Sequence, residues 1–338
     1  MDTKNSIYDL RFNLNYYGAD YPVDSLVYRM QKEEFIIPNF QRQYVWKIEE
    51  ASKFIESLLL GLPVPSLFLA RDKYSNKLIV IDGQQRLKTL LYFFEGKFPD
   101  GKLFRLKNVS FEFLNKTYAE LTAEDRINLD NIIIHCIIIA ENDNTDRMFY
   151  LFERLNTTGT PLTNQEIRNA IYHGNFNYSL GVFSSSETWK ALYHKEDLRL
   201  NDQELILRFL AFHFNLEDYS GDLVQFLNDF MRDNRTLGDR ISRNDIESIF
   251  YETFRVIEHS IGNYAFYHNK IFNKGLFDTV ALTVSKNIHN IKDESQVKYF
   301  YEQIIKNEDF WLLNKSATTS KGSILRKLDL ANYIFLNR

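Results

Sequence analysis

The chain has 338 residues, room for one large domain or two ordinary ones, and its 44% hydrophobic content is ample for a sizeable core. Aromatics reach 15%, with 28 Phe and 20 Tyr against only 13 Gly and 6 Pro, which excludes a loop-rich or disordered chain and favours helix. A formal charge of −4 excludes a globally basic nucleic-acid footprint, and a single cysteine, Cys136, excludes an intramolecular disulfide.

Residues 1–20 are polar and Tyr-rich and read as a loosely docked arm. Residues 23–31 read as a short amphipathic helix, and 35–38 as an extended segment, because Pro38 biases its predecessor away from helix. Residues 39–47 have no clean period. They mix Phe40, Tyr44 and Trp46 with Gln41, Arg42, Gln43 and Lys47. That composition suits stacking on a planar ligand beside a charge, and it equally suits a loop whose aromatics plug a core. Residues 49–60 form a helix with Ala51, Phe54, Ile55, Leu58 and Leu59 on one face, stopped by Gly61. The Pro-rich stretch 62–65 is extended. Strands at 66–70 and 78–81, joined by a turn at Ser75 and Asn76, make a hairpin.

The stretch 78–91 is the most informative. Four apolar residues form a strand, Asp82 and Gly83 a turn, and 84–94 a helix with Leu87, Leu90, Leu91 and Phe94 at helical spacing. Asp82, Gln84, Gln85 and Arg86 therefore fall where free amides and the helix dipole favour an anion, and the Arg86 fork suits phosphate oxygens. The same pattern is also that of a structural turn whose arginine is salt-bridged elsewhere.

Further on, 103–106 and 109–113 read as additional strands. Thr122 starts a capped helix, and 132–140 is a long apolar strand placed centrally in the sheet, with Cys136 as a core thiol. That run is too short to span a bilayer, and residues 1–6 lack a signal-peptide apolar region, so a cytoplasmic protein with no membrane partner is expected. A helix at 145–155 leads into a loop at 156–162, and residues 163–166 make a capping box for the next helix. Arg154, Asn156, Glu166 and Arg168 crowd this connection, as ligand contacts or as a well-capped connector. From about 176 strand signals fade, and 202–214, 222–231, 244–261 and 294–305 read as helices. The expected architecture is α+β, a mixed sheet with helices over 1–175 followed by an all-α region over 176–338.

Several chemistries are not supported. The chain has no Walker-type phosphate loop, no G-x-G-x-x-G, no H-E-x-x-H, no cysteine cluster and no G-x-S-x-G. His268 and Asn269 superficially suggest a nuclease fragment, but without a second histidine or a metal-ligand partner at useful spacing they read as a solvated loop.

Residues 37–46 (Ile-Pro-Asn-Phe-Gln-Arg-Gln-Tyr-Val-Trp), 81–87 (Ile-Asp-Gly-Gln-Gln-Arg-Leu) and 154–162 (Arg-Leu-Asn-Thr-Thr-Gly-Thr-Pro-Leu) together resemble the N-terminal domain of GmrSD-type restriction endonucleases, whose signature is Asp-Gly-Gln-Gln-Arg. The likeness covers roughly residues 20–175. It implies a ParB/sulfiredoxin-like fold, in which a Gly-x-x-Arg turn at a helix start binds phosphate, a spacing that Gly83 and Arg86 match. It also implies an anti-phage role, often directed at modified DNA, in which this domain binds and hydrolyses a nucleoside triphosphate and licenses a nuclease. No nuclease motif is apparent here, so a separate nuclease or effector protein is the expected partner, and DNA cleavage by this chain alone is not expected.

On this reading Asp82, Gln84, Gln85 and Arg86 are the candidate catalytic residues. Gly83 and the first turn of the 84–94 helix would cradle phosphate, with Gln41, Arg42 and Tyr44 closing the site and Arg154 and Asn156 contributing from the later loop. Asp82 is the candidate ligand of a Mg²⁺ accompanying the triphosphate. The alternative is a non-catalytic DNA-binding module, with 40–47 reading a modified base and 82–86 holding a DNA phosphate.

Overall fold

The protein divides into two units, residues 1–162 and 163–338. A computed structural model describes residues 15–37, 44–72, 75–140, 145–155, 162–172, 174–195, 199–238, 240–315 and 319–337.

The first unit runs β1 (Tyr16–Pro22), α1 (Val23–Gln31), β2 (Phe35–Ile36), α2 (Ile48–Leu59), β3 (Leu67–Arg71), β4 (Leu78–Asp82), α3 (Gln84–Glu95), α4 (Ala123–Asn131), β5 (Ile133–Ile139) and α5 (Thr145–Leu155). Its strands make one five-stranded sheet in the order β1-β5-β3-β4-β2. The β1–β5 and β3–β4 pairs are antiparallel, and β3–β5 and β2–β4 are parallel. The sheet is therefore mixed, and β5 lies inside it, as its apolar run suggests.

Sequence periodicity explains most of these elements. In α2, Ala51, Phe54, Ile55 and Leu58 are buried at helical spacing, and the Glu50 carboxylate accepts the Lys47 N–H at 2.8 Å to close the front of the helix. In β5, Ile134, Cys136 and Ile138 enter the core while Ile133 and His135 face outward. Burial pushes the Cys136 thiol up to about 12, which marks it as a packing group. Leu26, Ile55, Leu69, Val80 and Leu90 complete one core between the helices and the sheet.

Two expectations are corrected. Residues 16–20 of the arm expected over 1–20, of which 1–14 lie outside the described residues, belong instead to an edge strand, 16–22, paired from Tyr16 opposite Ile139 to Pro22 opposite Ile133. Its side chains are largely exposed, so backbone pairing holds it and hydrophobic patterning carries no signal for it. Residues 103–106 and 109–113 are not strands. Phe104 and Leu106 plug the core from an irregular loop. That loop folds on itself through Leu106 N–H to Lys116 O and Asn115 N–H to Leu106 O, at 3.0 and 2.9 Å. Asn108 and Asn115 supply the left-handed turns it needs, at φ +55° and +63°.

The second unit is helical: α6 (Asn164–Ile171), α7 (Asn175–Ser185), α8 (Glu187–Leu192), α9 (Asn201–Asn215), α10 (Leu223–Asp233), α11 (Arg243–Ile261), a small hairpin of β6 (Tyr267–His268) and β7 (Ile271–Phe272), then α12 (Lys274–Lys286), α13 (Glu294–Lys306), α14 (Glu308–Leu313) and α15 (Lys321–Leu336). Much of the phenylalanine content lies here; Phe183 stacks on Phe250 at 4.3 Å, and Phe254 lies 4.9 Å from both Phe209 and Phe250. Helix α12 is buried all round, so it lacks the one-sided stripe by which its neighbours are legible in sequence. Within it Asp278 pairs with Arg208 of α9, both sealed from solvent. The His268–Asn269 pair sits on a β-hairpin turned by Asn269 and Lys270, both at positive φ, and not in a plain loop.

The division at 162/163 lies upstream of the expected change near 175 because α6 is built into the helical unit. Arg168, 1% exposed, donates to Glu204 at 2.9 Å and Asn228 at 2.8 Å, and the buried Glu166 pairs with Arg199 at 3.1 Å. Among the described residues no helix is long and apolar enough to cross a membrane.

Candidate functional site

Strand β4 ends at Asp82, the chain turns at Gly83, and α3 begins at Gln84. The turn demands glycine twice over. Gly83 has φ +100°, and a Cβ placed there would land on Cδ2 of the buried Leu67, far inside van der Waals contact. Gly83 has no side chain with which to cap α3, and the first backbone bond of the helix is Leu87 N–H to Gly83 O at 2.9 Å. The amides of residues 84–86 thus precede the helical ladder, at the positive end of the helix dipole.

Arg86 closes this turn from within. Its guanidinium donates to the carbonyl oxygens of Pro65 and, at 3.3 Å, Ser66, and to Asp82 Oδ2 at 2.9 Å. The Arg86 side chain is only 11% exposed, against 42% for Asp82. Burial pulls the Arg86 pKa down, and the Asp82 charge opposes that shift. The arginine therefore ties the Pro-rich lead-in of β3 to the front of α3. Asp82 holds that arginine through one carboxylate oxygen.

Along α3, Gln85 and Thr89 anchor the end of the aromatic–basic stretch, residues 44–47. Gln85 Oε1 accepts the Val45 N–H at 3.1 Å, and the Tyr44 hydroxyl lies 2.8 Å from Thr89 Oγ1. The Tyr44 ring meets Tyr92 edge-on at 5.0 Å and tilts against Phe98 at 5.8 Å. Burial pushes the Tyr44 phenol up to about 12. Residues 44–47 thus form a strap over α3, and Tyr44 sits a turn beyond the helix front instead of over it. Tyr44→Phe keeps the ring and removes the hydroxyl contact; a loss of about 1 kcal/mol in urea unfolding is expected, and no change would show that the hydroxyl adds nothing.

Asp82, Gly83, Gln85, Arg86 and Tyr44 are therefore joined through α3, with Gln84 half-buried at its first position. Gln41, Arg42 and Asn156 lie outside the described residues. Arg154 is exposed on α5, its guanidinium 4.7 Å over the Tyr150 ring of the same helix. Glu166 and Arg168, read as crowding that loop, are instead buried in the helical unit. Sequence reading missed the carbonyl partners of Arg86, which have no side-chain signal. It also missed Lys88 and Thr89, which their i+4 relation to Gln84 and Gln85 could have revealed.

Chemically, the front of α3 offers main-chain amides to an anion beside a half-exposed carboxylate. Among the described residues no group of three or more His, Cys, Asp or Glu side chains could hold a metal ion. A lone carboxylate nevertheless fits Mg²⁺ that arrives with a polyphosphate, since that ion usually takes one or two protein carboxylates and keeps phosphate and water ligands.

Residues 24–173 match the family described as GmrSD restriction endonuclease, N-terminal domain. No curated protein matches the chain.

Proposed function

From the match of residues 24–173 to the GmrSD restriction endonuclease N-terminal domain family, we propose a nucleoside-triphosphate-binding and hydrolysing regulator of a restriction-type anti-phage system, acting with a separate nuclease or effector. The observation that carries this reading is the front of α3 behind the left-handed Gly83 turn, with the half-exposed Asp82 carboxylate beside it. The amides of Gln84, Gln85 and Arg86 take the phosphate oxygens. Asp82 would hold the Mg²⁺ that accompanies the triphosphate, and that ion would neutralise phosphate charge. Gln84 orients the attacking water. Arg86 adds positive field from behind while it holds Asp82 in place, and Gln85 fixes the strap.

A thermal-shift screen of the full chain against ATP, GTP, CTP and UTP, each with and without Mg²⁺, tests this. A Mg²⁺-dependent rise in melting temperature with at least one triphosphate is expected, because a ligand that binds only the folded state stabilises it. No shift with any of them, alongside salt-sensitive binding of duplex DNA, would favour the DNA-binding module instead.

A further inference from the structure

Beside the strap, a partly open cavity of about 660 Å³ lies along α3. Its walls include Tyr44, Trp46, Tyr92, Phe98 and Leu103, with Lys88 as its half-buried cation. The volume falls in the range of about 300–1,000 Å³ typical of small-ligand sites. The rings are held from behind: Phe98 stacks on the buried Phe104 at 4.3 Å, and Trp46 meets Phe54 edge-on at 5.7 Å. Lys102 at the rim is paired with Asp100 at 2.7 Å. No carboxylate among the described residues pairs with Lys88, and burial alone pulls its pKa down. A wall of rings with one unpaired ammonium suits a planar, hydrogen-bonding ring that carries an anionic group.

Position along the helix narrows the ligand. Gln84, Lys88 and Tyr92 recur every fourth residue and so share one stripe of α3. The rise from Gln84 to Tyr92 is roughly 12 Å, comparable to the reach of a nucleotide from base to terminal phosphate. We propose that this cavity is a nucleobase pocket, in which Tyr92, Phe98 and Trp46 enclose the base of a phosphorylated nucleoside and Lys88 contacts the phosphate nearest the sugar. Only the phosphate end of this proposal rests on the functional reading above; the base end rests on the cavity.

Calorimetric titration of the full chain with the four nucleosides, the four nucleoside triphosphates, inorganic tripolyphosphate and a single-stranded oligonucleotide tests it. Emission of Trp46, identified against Trp46→Phe, reports occupancy of the cavity. At least one nucleoside is expected to bind and quench Trp46, even if tripolyphosphate does not bind. Tyr92→Leu and Phe98→Leu, with their folding checked by circular dichroism, are expected to weaken both nucleoside and triphosphate at least about fivefold, since stacking on a ring contributes that much per base. Lys88→Met is expected to weaken the triphosphate about tenfold and leave the nucleoside within twofold. A triphosphate bound more tightly than the oligonucleotide assigns the base to a free nucleotide, the reverse order to a DNA strand, and either supports the pocket. Nucleosides that fail to bind, or that bind folded Tyr92→Leu and Phe98→Leu as well as wild type, overturn it. Tripolyphosphate matching the triphosphates in affinity also overturns it while leaving the phosphate site standing.

Discussion

Replacing Arg86 with alanine is expected to lower folding stability by about 2–4 kcal/mol, read from the midpoint of urea unfolding. The guanidinium is nearly buried and donates to the carbonyls of Pro65 and Ser66 and to Asp82. Alanine leaves those acceptors without their donor and opens a void at the junction of β3 and α3. The Asp82 part of the loss is the smaller one, because that carboxylate is 42% exposed and water can replace the arginine. Arg86→Lys is expected to recover only part of the loss, since a point charge cannot serve acceptors on different sides of a planar fork. A change below about 0.5 kcal/mol for Arg86→Ala would show that the clasp does not hold the turn. Loss of activity in Arg86→Ala is thus no direct sign of a phosphate contact; the variant must first be shown to fold.

Gly83→Ala is expected to cost about 2–4 kcal/mol by the same measurement. The left-handed backbone at φ +100° and the collision with Leu67 act together here. Leu67 is 1% exposed and packed on all sides, so it has little room to yield. Leu67→Ala in the Gly83→Ala background should relieve the collision and leave the backbone strain. The double variant is therefore expected to lose less than the sum of the single losses; a loss equal to or greater than that sum would show that the two residues do not clash.

The sheet unit was legible in sequence wherever one face of an element is buried. Helices α1, α2 and α3 and strands β3 and β5 carry such a face, β4 is buried on both faces and was legible as a short apolar run, and the Asp-Gly-Gln-Gln-Arg string fell at the strand-to-helix turn where its composition puts it. Elements held by backbone pairing alone were not legible. Strand β1 exposes most of its side chains, and α12 is buried all round, so neither shows a stripe. The position of α6 depends on long-range partners of Glu166 and Arg168 that no local pattern announces.

The candidate site divides in the same way. Gly83 was readable because a turn at that point needs a residue without a side chain. The orientation of Arg86 was not, because its partners are main-chain carbonyls of a segment some twenty residues earlier. Tyr44 read as part of an aromatic–basic stretch, yet its reach to Thr89 emerges only once the strap is laid along α3.

The most direct test of triphosphate capture at the front of α3 is Mg²⁺-dependent turnover and binding in wild type and Asp82→Asn. Asparagine keeps the shape and an oxygen for Arg86 while removing the charge that Mg²⁺ needs. Wild type is expected to hydrolyse at least one nucleoside triphosphate, and folded Asp82→Asn to lose about tenfold or more in turnover. Wild type that binds no triphosphate with Mg²⁺, or Asp82→Asn that turns it over at the wild-type rate, would contradict it.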